Sequence, residues 1–158
     1  MNSATMKLAG AAAIAVTLSA GAVMAHHGVT GLYDTSVPII LAGTVTDTVF
    51  SPPHPVISVR VEAAEPRLPA AVGQRGDEFT GPAVVRAEDV GKVRDIEFSP
   101  VRTFYDLADT VKVGDRVLII ALRNCRPPHQ LRSSWMQLSD GQIVSYEGGL
   151  HRRADGCP

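Results

Sequence analysis

Charge of one sign is what this chain most plainly lacks. Fifteen Lys and Arg stand against sixteen Asp and Glu, a formal charge of −1, so no basic field exists to concentrate nucleic acid or anionic lipid. Long hydrophobic runs are missing after the first 25 residues, which excludes an integral membrane segment in the remainder. Catalytic signatures are missing too: there is no Gly-x-Ser-x-Gly, no His-Glu-x-x-His and no phosphate-cradling glycine loop, and the expectation is a protein that is not an enzyme. Neither an internal repeat nor a heptad pattern is present, and 158 residues suit one domain.

The first 25 residues carry one charged side chain, Lys7, then an Ala-rich apolar run and a small-residue ending in Val23, Met24, Ala25. That order is the one a secretory signal peptide has, with the cut expected after Ala25 and His26 as the first mature residue. The expected location is periplasmic or secreted. No Cys lies near the cut, which argues against a lipid-modified start. The domain reading is a signal peptide over 1–25, a lead segment over 26–37, a single β domain over 38–149 with an inserted loop near 65–82, and a tail over 150–158.

Cysteine is scarce: Cys125 and Cys157 are the two present. An oxidising compartment favours pairing them, which would tie the tail back to the segment after the 117–122 strand. A thiol metal site is the competing reading, and the lack of a Cys-x-x-Cys spacing counts against it.

Between 39 and 49 the apolar residues Ile39, Leu41, Val45 and Val49 alternate with Thr44, Thr46 and Thr48, the period of a half-buried strand. Gly43 interrupts the strand where a barrel strand bends to serve two sheets. Ser51, Pro52, Pro53, His54 and Pro55 end it, since proline has no ladder donor. Further strands are expected over 56–63, 93–98 and 117–122. Ser99 before Pro100 marks a helix start that should run to about Thr110. Trp135 to Tyr146 reads as a hairpin with a type I′ turn at Asp140 and Gly141. Five or six strands, one short helix and a glycine-bent first strand predict a small OB-like barrel, with a β-sandwich as the alternative.

The chemistry-bearing candidates are mostly histidines. If His26 is residue one, its amine and ring Nδ1 can chelate one metal ion, and nitrogen donors in a square arrangement suit copper as Cu(II). His27 or His54 would complete that site. A solvated N-terminal tail is the competing reading. His54 is boxed between Pro53 and Pro55, and Pro127-Pro128-His129 repeats the Pro52-Pro53-His54 string. Arg123, Arg126 and Arg132 cluster with His129 and would grip a small anionic ligand bidentately, against the reading of a solvated loop. Trp135 and Tyr146 are either an aromatic floor or a cross-strand packing pair. Asp106 and Asp109 read as solvent-facing helix positions rather than a catalytic carboxylate pair.

The His-His-Gly start, Leu32-Tyr33-Asp34, Leu41-Ala42-Gly43-Thr44-Val45, Pro53-His54, the stretch from Lys112 to Val117 and Asp140-Gly141 together resemble a family of small exported bacterial proteins of unknown function. Its typical members begin with Ala-His-His after the signal and carry Gly-x-Val in strand one and an Asn-Pro-His turn. The resemblance implies an OB-like fold and an exported location. It departs at His54, where Pro52 stands in place of the Asn. Two functions are expected on these residues: a periplasmic binding protein holding copper through His26, His27 and His54, or a metal-free module that docks an envelope protein or a small anionic ligand through Arg126, His129 and Arg132.

Overall fold

A computed structural model describes residues 31–62, 79–146 and 153–158. Within them the chain is mainly β, with strands β1 (Tyr33–Val49), β2 (Val56–Val61), β3 (Val93–Phe98), β4 (Arg116–Asn124), β5 (Leu131–Gln137), β6 (Ile143–Ser145) and β7 (Arg153–Ala154), and one short helix, α1 (Arg102–Tyr105).

β1 is long because its alternation extends further toward the N-terminus than Ile39: Tyr33, Thr35, Ile39, Leu41 and Val45 are all buried. That length lets it serve two partners. Its first part pairs antiparallel with β4 from Tyr33 to Thr44, and its last part with β2 from Gly43 to Val49. The ladders overlap at Gly43, where a Cβ would lie 1.9 Å from the Arg60 carbonyl oxygen, so only glycine allows the two backbones to approach this closely.

β2 pairs with β3, β3 with β5 and β5 with β4, which closes the ring β1-β2-β3-β5-β4-β1. Every pairing in the ring is antiparallel except β3 with β5. That parallel seam is short, running from Ile96 opposite Leu131 to Phe98 opposite Ser133, so the ring is closed without being a regular barrel. This is the OB-like order, and it is one sheet rather than the two of a sandwich.

The interior is filled by the alternate, inward residues of the strands, among them Leu41, Ile57, Val59, Ile96, Phe98 and Ile119, each fully buried. Phe104 of α1 packs against Phe98 in a tilted pair with ring centroids 4.9 Å apart, bringing an apolar face of the helix onto the core. α1 begins later than Ser99 and Pro100 suggest. Val101 precedes its first turn without a capping side chain, and Ser99 is buried. A 3₁₀ turn over Asp106–Asp109 continues α1 to Thr110. The β5–β6 connection also differs from the expected two-residue turn. Leu138 N–H donates to the Gln142 carbonyl and Gly141 has φ +89°, so Ser139, Asp140 and Gly141 form a three-residue loop with glycine in the left-handed position.

The Cys125–Cys157 disulfide is formed, with Cα atoms 5.2 Å apart. It holds β7 in parallel pairing with Tyr33 and Asp34. Thr35 Oγ1 donates to the Ala154 carbonyl at 2.8 Å and Gly156 N–H to Asp34 Oδ1 at 3.2 Å. Phe79 to Pro82, the end of the expected insertion, return to β1 through Thr80 N–H donating to the Thr35 carbonyl. Among the described residues no helix is long and apolar enough to cross a membrane.

Candidate functional site

The two Pro-Pro-His strings lie in two different loops, and those loops flank one cleft. The β1–β2 loop covers 50–55 and the β4–β5 loop 125–130. Pro52-Pro53 and Pro127-Pro128 are both cis peptides. Between the loops, on the outer face of β2 and β3, is a cleft of about 580 Å³ lined by His54, Val56, Val93, Asp95, Glu97, His129 and Leu131 among others. In OB folds this face and these two loops are the usual ligand surface.

Each loop is held from behind. Tyr105 Oη of α1 donates to the Pro53 carbonyl at 3.0 Å, and Phe98 N–H to the Pro55 carbonyl at 2.8 Å, so the helix and β3 fix the backbone on both sides of His54. In the second loop Arg126 N–H donates to Asn124 Oδ1 at 3.0 Å, His129 N–H to the Arg126 carbonyl at 2.8 Å and Asn124 N–H to the Gln130 carbonyl at 2.8 Å. His129 takes φ 61°, a left-handed conformation uncommon for a side-chain-bearing residue. Its Nδ1 lies 3.0 Å from the Asn124 carbonyl.

The floor of the cleft is a polar cluster built on Glu97. His54 Nδ1 is 3.3 Å from Glu97 Oε1 and Arg132 Nη1 is 3.6 Å from the same oxygen, while Gln130 Nε2 donates to Oε2. The His54, Glu97 and Arg132 side chains are only 9%, 12% and 4% exposed. A buried charge persists only when paired, and Arg132 with Glu97 is that pair. His54 Nδ1 and Arg132 Nε are buried without an aligned hydrogen bond. Tyr33 lies against the same group: burial pushes its hydroxyl above the ordinary phenol range, against the pull of the Arg132 charge.

His54 and His129 therefore share a site. Arg126 and Arg132 do not present one face, because Arg126 is exposed and Arg132 is buried beneath the cleft. Arg123 is on β4, opposite Asp34 and Leu131. His26 and His27 lie outside the described residues. Among the described residues no three of His, Cys, Asp and Glu come together as a metal group. Asp106 and Asp109 are exposed, Asp106 beside Arg102 at 3.3 Å. Trp135 is buried opposite Ser145 rather than Tyr146.

Glu97, Gln130, Asp95 and Tyr33 are the site residues that motif reading missed. The readable signal was the outer face of β3, where a strand with Ile96 and Phe98 inside carries Asp95 and Glu97 outside. No protein-family model, curated protein or solved structure matches the chain.

Proposed function

We propose that this is an exported, non-catalytic binding protein whose ligand occupies the cleft between the two Pro-Pro-His loops, and that copper is the ligand. The observation that supports it is the oxygen that faces Nδ1 of each histidine. A carbonyl faces Nδ1 of His129 and a carboxylate faces Nδ1 of His54, the arrangement in which histidine offers a neutral Nε2 to a metal. Two imidazoles are not a complete copper site, and the mature N-terminus would supply the rest through His26 and His27. The Leu32 carbonyl accepts from Cys125 N–H at 2.8 Å, so the chain leaves β1 beside the β4–β5 loop. Five positions separate His26 from Gly31 at the start of the described chain. The periplasm as location and kinship with the small exported proteins that the sequence resembles are part of this proposal.

The test begins with the periplasmic product of the full precursor, its N-terminus established by mass spectrometry. Cu(II) is titrated calorimetrically into that protein and into a form with one extra residue before His26. The expected result is one-to-one binding that the extra residue weakens at least tenfold and that His54→Gln weakens further. Equal binding by both forms, or no binding, overturns the copper reading.

A metal-free reading has its own support in the size and walls of the cleft. About 580 Å³ is ordinary for a small-molecule site, and Val49, Val56, Val93 and Leu131 give it apolar walls.

A further inference from the structure

We propose that the cleft is built for a small organic cation, an alkyl ammonium whose apolar body rests on the valine wall. This deepens the binding-protein reading and rests on the cleft being the ligand site, but not on copper. Hydrogen-bond polarity is the first reason. The Asn124 carbonyl can only accept, so His129 Nδ1, 3.0 Å away, carries a ring proton, and in the neutral ring Nε2 is the acceptor. The Glu97 carboxylate 3.3 Å from His54 Nδ1 favours the same tautomer there, though the atoms are off the hydrogen-bond line. His54 Nδ1 is buried, so the ring edge left to the cleft is the one carrying Nε2. In the neutral form both imidazoles then turn an acceptor to the cleft.

The cationic and amide donors nearest the cleft floor already face carboxylates. Arg132 is buried 3.6 Å from Glu97, Gln130 Nε2 donates to Glu97, and Arg94 is 3.2 Å from Asp89, which Arg86 also holds at 2.7 Å. Asp95 is what remains. Its carboxylate accepts from Ser58 Oγ at 2.6 Å and has no cationic partner among the described residues. The Asp95 carboxylate is thus a negative charge on the cleft wall without a cation against it among the described residues.

Apolar surface is the third reason. Val49 and Val93 are 47% and 44% exposed and both line the cleft, with Val56 and Leu131 beside them. An ammonium can rest against Asp95 and the imidazole acceptors, with its alkyl chain along the valines. A carboxylate of the same size would face the Asp95 charge.

Hexylammonium, hexanol and hexanoate share one chain length and differ in the head group. They are titrated into the mature protein and followed by NMR at the valine methyls and the histidine ring protons. Hexylammonium is expected to bind about five- to tenfold more tightly than hexanol, with hexanoate weakest, as one partly solvated charge pair allows. Asp95→Asn, at an exposed position, is expected to erase the preference for ammonium over alcohol, and Val93→Thr to weaken both without changing their ratio. Hexanoate binding as tightly as hexylammonium, a preference that survives Asp95→Asn, or no binding of any of the three overturns the inference. The Cu(II) titration reads separately: a protein that binds copper but not hexylammonium overturns this inference alone, and the reverse outcome overturns the copper reading alone.

Discussion

The two faces of β3 are made of adjacent residues and do opposite work. Ile96 and Phe98 point inward and are fully buried among aliphatic and aromatic neighbours. Asp95 and Glu97 point outward into the cleft, one solvated and one locked to Arg132 and Gln130. Because side chains alternate along a strand, a single segment supplies both the ring's core and the wall of its candidate site. Stability should therefore follow the inner face and ligand preference the outer one.

The largest effect that would break this division is on the inner face. Phe98→Ala is expected to cost about 3–5 kcal/mol in urea unfolding, since the ring and its contact with Phe104 are lost from a sealed interior, whereas Asp95→Asn should stay within about 0.5 kcal/mol of wild type. Equal losses at the two positions would end the comparison. Next is the bridge that pins β7 to β1. Cys157→Ser opens a loop whose ends are 32 positions apart and should lower stability by about 3–4 kcal/mol on the loop-closure account, measured against wild type under oxidising conditions.

Glu97 sits between the two faces in character, outward yet 12% exposed. Glu97→Gln leaves Arg132 buried without its counter-charge, and a loss of about 2–3 kcal/mol is expected, below that at Phe98 because the carboxylate is not fully sealed. A loss as large as that of Phe98→Ala would make the outer cluster a second core. The smallest effect concerns Tyr33. Its hydroxyl is raised in the folded chain, first by burial, so above about pH 10 the unfolded chain releases the phenol proton before the folded one does. Stability should fall as pH rises from there toward the folded value, and Tyr33→Phe should flatten that decline in urea midpoints taken at pH 8 and 10.5.

The ring was legible because its signals are local. Alternation in β1, β2 and β3, the glycine at 43 and the helix placed between β3 and β4 each follow from short-range chemistry. The site was legible only in part. Pro-Pro-His occurs twice in the chain, but that both copies flank one cleft depends on the parallel β3–β5 pairing, which no local pattern encodes. Arg132 belongs to a run that reads as a basic loop, yet it is the second residue of β5 and turns toward Glu97, 35 positions earlier in the chain. The helix start at Ser99 and Pro100 was a sound local signal that lost to packing, because Ser99 is taken into the interior and the first turn forms later.

The pairing of Tyr33 and Asp34 with Arg153 and Ala154 has a consequence for the order in which the molecule can be finished. A ribosome makes β1 first and β7 last. The outer edge of β1 stays open until residues 153–157 have emerged, and only then can Cys157 meet Cys125. The ring can assemble early, but the lock at the β4–β5 loop is a late event, so a chain stalled short of it would have the cleft's walls without the clasp behind them.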